Sequence, residues 1–455
     1  MEEIINENRL FEILKDSATA SEKQIKAVLG KAGEKKGLSL EEAGLLVNIP
    51  DRHIEDLYSV AYRVKQEIYG ERLVFFAPLY VSDYCVNDCE YCNFHLRNQE
   101  LKRKKLSLEQ VGEQTEFLIS MGHKRLLLEF GEAPEYNDIN YVTSVIEKIY
   151  SVRTPKGNIR RLNVNIAATG VEDYRRLKTA HIGTYQLFQE TYHRQTYESL
   201  HRGPKADYQR QITAHDRAFS AGLDDLGLGV LFGLYDWRFE VLALVSHAQY
   251  MDKKYGVGPH TISVPRFQPA ETVAFKPAYP VNDSDFLKLI AILRLAVPYT
   301  GMIISTREKP EIRRQAFKIG ISQASAASRT TTGGYGKPRT DQQFLLQDER
   351  SLAEVIQDIV GEGFLPSFCT ACYRRGRTGE RFMELSKPGE IHNFCRPNGL
   401  LTFAEYLQDF TTDGLHAKGE QLINSYLEKI DNPTLRQETR TRLEKIKQGE
   451  RDLYF

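Results

Sequence analysis

The 455-residue chain has six cysteines, no surplus of either charge, and no apolar run approaching the roughly 18 residues of a membrane-spanning helix. Its 61 basic and 61 acidic residues cancel, so no global field draws it to nucleic acid or to an anionic membrane, and neither is expected as a partner. The first residues, M-E-E-I-I-N-E-N, lack the basic-then-apolar order of a signal peptide, and the expected location is cytoplasmic. Disulfides rarely persist there, so cysteines in motif spacing read as metal ligands. No internal repeat or low-complexity tract is present.

The cysteines fall into two sets with none left over: Cys85, Cys89 and Cys92, then Cys369, Cys372 and Cys395. The first set reads Y-C-V-N-D-C-E-Y-C-N-F, a C-x3-C-x2-C triplet just after the apolar run Leu73 to Val81. Three thiolates on a short loop can hold three irons of a 4Fe-4S cluster and leave the fourth iron open to a small molecule. A zinc knuckle that borrows His95, or three buried structural cysteines, are the plainer readings. The second set is spaced C-x2-C-x22-C, for which a zinc site completed by His392 is the alternative.

Short apolar or β-branched runs recur at Arg72 to Val81, Lys124 to Phe130, Leu162 to Ala168, Gly183 to Gln189, Leu226 to Leu234, Thr261 to Phe267, Thr300 to Ser305 and Ile319 to Ala324. Helical spacing fills most of the gaps, one helix opened by the capping box Ser107-Leu-Glu-Gln110. Eight strands alternating with helices predict an α/β fold, a (βα)8 barrel over residues 71–339, with working residues at the carboxyl ends of the strands. Residues 1–70 read as a helical extension with a second capping box, Ser39-Leu-Glu-Glu42. Residues 340–455 read as a separate, mainly helical region ending in an amphipathic helix, Pro433 to Glu450. The basic run Lys102 to Lys105 reads as a solvated helix start, with docking of an acidic electron donor as the alternative.

The first cysteine spacing, with aromatic Tyr91 before the last thiol, resembles the radical S-adenosylmethionine (SAM) superfamily, which binds SAM at the open iron. Both spacings, with the runs N-V-N-I-A-A-T, Q-E-T-Y-H, G-L-G-V-L-F-G-L, G-P-H-T-I-S-V-P-R, V-P-Y-T-G-M-I-I-S-T-R-E and S-F-C-T-A-C-Y-R-R-G-R-T-G, resemble the HydG family of FeFe-hydrogenase maturases, radical SAM tyrosine lyases. The likeness runs from about residue 70 to the end. Its most specific part is the second cysteine region, which the related ThiH-type tyrosine lyases of thiamine synthesis lack. The resemblance implies cleavage of L-tyrosine to p-cresol and dehydroglycine, then carbon monoxide and cyanide assembled on iron. It implies two 4Fe-4S clusters, SAM, and an additional iron carrying free L-cysteine. The partners it implies are a flavodoxin- or ferredoxin-type electron donor and other hydrogenase maturation proteins.

Residue roles follow from the same resemblance. Cys85, Cys89 and Cys92 would bind the SAM cluster, and Cys369, Cys372 and Cys395 the second one. Tyr91 would lie beside the adenine, and Gly131-Glu132 would receive the methionine amino group, in a run that reads F-G-E-A-P without the usual first glycine. Glu190 and Arg217 would add polar contacts to SAM, with a surface salt bridge the alternative for Arg217. Arg307 would clamp the substrate carboxylate, aided by Ser325 and Tyr80, the alternative being a pair with neighbouring Glu308. His260, in G-P-H, would ligate the extra iron, the alternative being a structural hydrogen bond. The rival functions are a ThiH-type 2-iminoacetate synthase and a non-catalytic iron-sulfur or zinc scaffold.

Overall fold

The structure, a computed structural model, describes residues 3–411 and 413–455. Eight parallel strands, β1 (Arg72–Ser82), β2 (Arg125–Phe130), β3 (Arg161–Asn165), β4 (Tyr185–Gln186), β5 (Leu226–Gly229), β6 (Thr261–Ser263), β7 (Gly301–Ile304) and β8 (Gln323–Ser325), follow one another in space as in sequence. β1 pairs with both β2 and β8, which closes the sheet into the expected (βα)8 barrel. The row of paired residues from Tyr80 passes through Glu129, Asn165, Gln186, Gly227, Thr261 and Gly301 and returns to β1 at Arg72, eight residues before its start. That is the stagger an eight-stranded barrel of this type requires. It brings Phe76, Leu127, Gln186, Ser263, Ile303 and Ser325 to one level, with Tyr80, Glu129 and Arg307 a layer nearer the carboxyl ends of the strands.

Strands β3 to β6 are shorter than the apolar runs suggest. β4 keeps two residues of Gly183 to Gln189 and β6 three of Thr261 to Phe267, because the chain leaves the ladder to form the loops over the barrel mouth. Single bridges, Glu190 to Val230 and Phe232 to Arg266, are what remains of pairing beyond the strand ends. Ile319 closes a helix, Pro310–Ile319, and does not begin β8. Alternation of side chains is a pattern the loops share, so apolarity alone could not mark where hydrogen bonding stops.

The helical extension is formed by Glu7–Ser17, Glu22–Ala32, Leu40–Val47 and Ile54–Tyr69. Both capping boxes, at Ser39 and at Ser107, are made as read. A ninth strand, β9 (Leu365–Ser367), pairs with the first three residues of β1, Arg72 to Val74, and was not legible in three residues of sequence. Helices Leu352–Gly361, Gly379–Ser386, His392–Phe410, Asp413–Glu428 and Pro433–Lys447 complete the carboxyl-terminal region. The last of these buries Thr439, Leu443 and Ile446 on one face, the amphipathic pattern expected of it. Among the described residues no helix is long and apolar enough to cross a membrane.

β9 decides where the second cysteine set goes. Because it joins β1 at its amino-terminal end, Cys369 emerges at the floor of the barrel, where the Arg125 guanidinium at the start of β2 donates to its carbonyl at 3.2 Å. Cys85, Cys89 and Cys92 leave β1 at the opposite end.

Candidate functional site

The first cysteine loop is tied to the barrel mouth by its backbone. Val86 N donates to Glu132 O at 2.7 Å, and Gly131 N to Ser82 O at 2.9 Å. A Cβ on Gly131 would sit 2.3 Å from Tyr84 O, so only glycine lets β2 end this close to the loop. Arg103 donates to the carbonyls of Asp83, Phe94 and His95 at 2.6–2.8 Å, and Lys104 N to Asp83 Oδ1 at 2.6 Å. The basic run is therefore a brace around the cysteine loop, and the solvated helix start expected there begins later, at Leu108.

All six cysteines are free. Burial pushes the Cys89 thiol up, and burial with the neighbouring Cys85 raises Cys92 to about 11. Thiols so placed ionise when a metal supplies the compensating charge, which is what a three-thiolate cluster site needs. Among the described residues no three His, Cys, Asp or Glu side chains are grouped to hold a single metal ion, so neither His95 nor His392 completes a preformed zinc site. His95 Nδ1 is 2.8 Å from Asp88 Oδ1 and His392 Nδ1 is 2.6 Å from Gly389 O.

Below the loop lies a cavity of about 220 Å³ lined by Cys85, Cys89, Tyr91, Cys92, Glu132, Glu190 and Arg307 among others. The Tyr91 hydroxyl is 2.8 Å from His201 Nε2, and His201 Nδ1 is 2.7 Å from Tyr197 O. Burial holds His201 down to about 4, so its Nε2 is an acceptor that fixes the Tyr91 ring against the cysteine loop. Glu132 accepts from Asn87 Nδ2 and from Arg210, each at 2.6 Å. Glu190 pairs with Lys205 at 2.6 Å and adopts φ +69°, a left-handed backbone rare outside glycine and costly enough to mark a functional position. Arg217 is elsewhere: its guanidinium donates to Thr169 O, Thr213 Oγ1 and Arg210 O, and it does not line the cavity. Arg210, one helical segment earlier, is the arginine that reaches Glu132.

Arg307, Ser325 and Tyr80 are brought together in the same cavity. Glu308 is occupied by Arg266, so the neighbouring-pair alternative for Arg307 fails. Among the described residues no acidic side chain comes within ion-pairing distance of the Arg307 guanidinium, which lies 3.2 Å from the centre of the Phe344 ring. Ser325 Oγ accepts from Thr306 N at 3.2 Å, and the Tyr80 hydroxyl donates to Gln343 Oε1 at 2.7 Å. Gln343 in turn points its amide at Cys92 Sγ, 3.7 Å away. Gln343 and Phe344 lie beyond the boundary expected at residue 339 and fold back over the barrel mouth. Nothing in their local sequence signals this.

Sequence reasoning also missed Glu129, whose carboxyl accepts from Asn165 Nδ2 at 2.9 Å inside the cavity. Burial pushes it up to about 8 against the opposing pull of Arg307, so it is neutral at pH 7. An acid closing an apolar strand, R-L-L-L-E-F, was the available signal.

At the floor, Cys372 is raised by burial and by Cys369, and Cys395 is raised to about 12 by burial. The Arg377 backbone N–H donates to Cys372 O at 2.7 Å, while Arg72 feels all three thiols and leaves its buried Nε unpartnered. His260, immediately before β6, is delivered to this end. Its ring stacks on Phe382 at 3.9 Å and on Tyr373, the residue after Cys372, at 5.8 Å. Burial pushes it down to about 4, which leaves a neutral imidazole suited to iron. The nearest group to its Nδ1 is Asp225 Oδ2, at 3.2 Å.

Two family models match in succession: the Radical SAM superfamily over residues 79–244, and the Biotin and Thiamin Synthesis associated domain over residues 263–365. Neither reaches Cys369. A crystal structure of HydG, a maturase of the [FeFe]-hydrogenase, covers 99% of this chain and 100% of its own, at 51% identity and a TM-score of 0.97. The chain belongs to the HydG family of radical SAM maturases. The X-ray structure of HydG from Carboxydothermus hydrogenoformans is 42% identical over 96% of this chain and 97% of that one, with a TM-score of 0.85. The 2-iminoacetate synthase of Salmonella typhimurium is 30% identical over 317 residues, 69% of this chain and 82% of that enzyme. Radical SAM membership implies a 4Fe-4S cluster and SAM as cofactors, and the triplet at the barrel mouth fits them. The HydG likeness extends through the floor triplet, where a second cluster fits three free thiols, Cys395 buried and Cys369 and Cys372 half-buried.

Proposed function

We propose that this radical SAM enzyme is a carbon-carbon lyase that cleaves L-tyrosine to p-cresol and dehydroglycine, turns dehydroglycine into carbon monoxide and cyanide, and assembles these on iron for the FeFe-hydrogenase. The hydrogen atom taken from the tyrosine amine leaves with the SAM-derived radical, breaking of the Cα–Cβ bond gives dehydroglycine and a 4-hydroxybenzyl radical, and a second electron from the donor with one proton turns that radical into p-cresol; dehydroglycine then yields CO, HCN and water. What carries this reading is the pair of cysteine triplets at opposite ends of one closed barrel, with an arginine in the cavity that has no acidic partner among the described residues.

Cys85, Cys89 and Cys92 would hold one 4Fe-4S cluster and Cys369, Cys372 and Cys395 another; with SAM and an electron from a flavodoxin- or ferredoxin-type donor, the first supplies the radical that takes a hydrogen atom from the substrate amine. Tyr91, Gly131, Glu132 and Glu190, which all line the cavity, would contact SAM. Arg307 binds the tyrosine carboxylate bidentately, and Ser325 and Tyr80 fix its orientation. The barrel wall would keep water from the reacting centre. His260 would hold the additional iron, which with free L-cysteine is the acceptor on which the product is built and handed to other maturation proteins in the cytoplasm.

Glu129 gives this reading a pH signature. Below about 8 its carboxyl is neutral and leaves the Arg307 charge to the substrate, whereas above about 8 the carboxylate competes for it. KM for tyrosine should therefore climb as pH rises through 8, and Glu129→Gln should flatten the climb. Equal climbs in both proteins would remove Glu129 from the substrate site.

The deciding assay gives anaerobically reconstituted protein tyrosine, SAM, reductant, iron and cysteine, and follows p-cresol together with CO trapped by haem. Both products are expected. Cresol without CO would move the chain to a ThiH-type synthase, and neither product would reject the substrate.

A further inference from the structure

The cavity wall has an apolar side and, among the described residues, two buried polar atoms without a hydrogen-bond partner, Gln186 Oε1 and Ser328 Oγ, of which Gln186 Oε1 lies at the level of the apolar side. Phe76, Leu127 and Ile303 form a small cluster of their own, separate from the main core, and line the cavity at the middle level of the barrel. At the same level stands Gln186, on β4, only 1% exposed. Its Nε2 donates to Ser263 Oγ at 2.7 Å, but its Oε1 is buried and has no hydrogen-bond partner. A buried amide oxygen left unpaired costs free energy that a ligand hydroxyl can recover.

Three neighbouring polar side chains of this wall are engaged. Glu129 holds Asn165, Ser263 holds Gln186, and Ser325 holds Thr306 N. Gly227, the β5 partner of Gln186, is what lets the amide lie where it does: a Cβ there would come within 2.9 Å of Gln186 Cγ and 2.6 Å of Thr261 Oγ1.

Building on the tyrosine reading above, we propose that Gln186 is the specificity residue for the phenol: the substrate ring lies on Phe76, Leu127 and Ile303, and its hydroxyl bonds the Gln186 amide. The charged end of the amino acid is held a layer higher by Arg307, so the cavity presents cation, apolar face and hydroxyl acceptor in the order in which tyrosine carries carboxylate, ring and hydroxyl. A phenol both donates and accepts, so it satisfies the amide in either orientation. Phenylalanine would fill the same space and leave the amide unpaired. A site built on such a bond rejects the analogue that lacks the hydroxyl far more strongly than size alone allows.

The test is calorimetric binding of tyrosine and of phenylalanine to the anaerobically reconstituted enzyme with SAM present. The parent protein should bind tyrosine at least about tenfold more tightly than phenylalanine. Gln186→Leu should weaken tyrosine about tenfold and shift phenylalanine by less than about threefold, which collapses the preference. Retained phenylalanine binding is the internal control for folding. Gln186→Asn, which draws the amide back by one methylene, should weaken tyrosine alone and decides the matter if the leucine variant binds neither ligand. Undiminished preference in both variants would overturn the assignment of Gln186 while leaving tyrosine as substrate. A parent protein that binds neither amino acid would instead overturn the substrate reading on which the assignment rests.

Discussion

Replacing Arg307 by lysine should lower kcat/KM for tyrosine by about a hundredfold, nearly all of it through KM, because one partner of an interior, hydrogen-bonded charge pair is worth about 2–5 kcal/mol when removed. Lysine keeps the charge but loses the planar fork that binds a carboxylate through two parallel bonds, so the substitution is not conservative here. The expectation rests on what Arg307 lacks. Glu308, its neighbour in sequence, is taken by Arg266, Glu190 is paired with Lys205, and Glu129 is held neutral by burial. The guanidinium therefore faces the cavity with its charge uncompensated and Phe344 across one side. Initial rates of p-cresol release give the split between KM and kcat. Iron content and SAM affinity, which depend on groups at the cysteine loop, should stay at parent values. An unchanged KM would mean that the substrate carboxylate is bound elsewhere.

How much of this was legible beforehand differs by element. The closed barrel was readable because eight apolar runs recur with helical spacing between them, and strand existence survives errors at the edges. The strand ends were not readable: residues such as Phe232 and Phe267 are as apolar as strand residues but sit in loops that close over the mouth. The cysteine sets stand out by spacing, whereas Glu132, Arg307 and Ser325 came into view through the family resemblance, and the structure lines one cavity with all three. Gln343, Lys205 and Gln186 were not legible, because each acts through a partner distant in sequence: Gln343 reaches Tyr80 and Cys92, Lys205 reaches Glu190, and Gln186 reaches Ser263. Arg217 shows the reverse failure. Its residue type suited a SAM contact, yet the helix carrying it turns the side chain back onto carbonyls of its own neighbourhood, and Arg210 takes the position facing Glu132. The pairing of His260 with the floor triplet depends on β9, three residues long, and on the register that anchors it to Arg72.

That geometry sets the largest effect expected of any single substitution. Cys372→Ala should abolish CO formation while p-cresol continues within a few-fold of the parent rate, and iron should fall from about eight or nine per chain to about four. The two chemistries are separable because the barrel lies between them: the mouth triplet leaves β1 at its carboxyl end, and the floor triplet is fixed by β9 against the amino-terminal end of the same strand. Cys372 is the right member to change. It sits on a four-residue helix, Ala371–Arg374, and is only half-buried, whereas Cys395 is buried within the long helix His392–Phe410, where truncation would disturb packing as well as ligation. Alanine keeps the carbonyl that accepts from Arg377 N at 2.7 Å, and the Arg377 side chain remains anchored to Phe455 O at 2.7 Å and to the Phe394 ring, so the floor should hold its shape. The matching control is Cys89→Ala, which should abolish both products, since in the proposed order CO is made at the floor from what the mouth releases. Equal loss of cresol and CO in Cys372→Ala would contradict a division of labour and imply that the floor triplet serves the cleavage itself or the stability of the barrel.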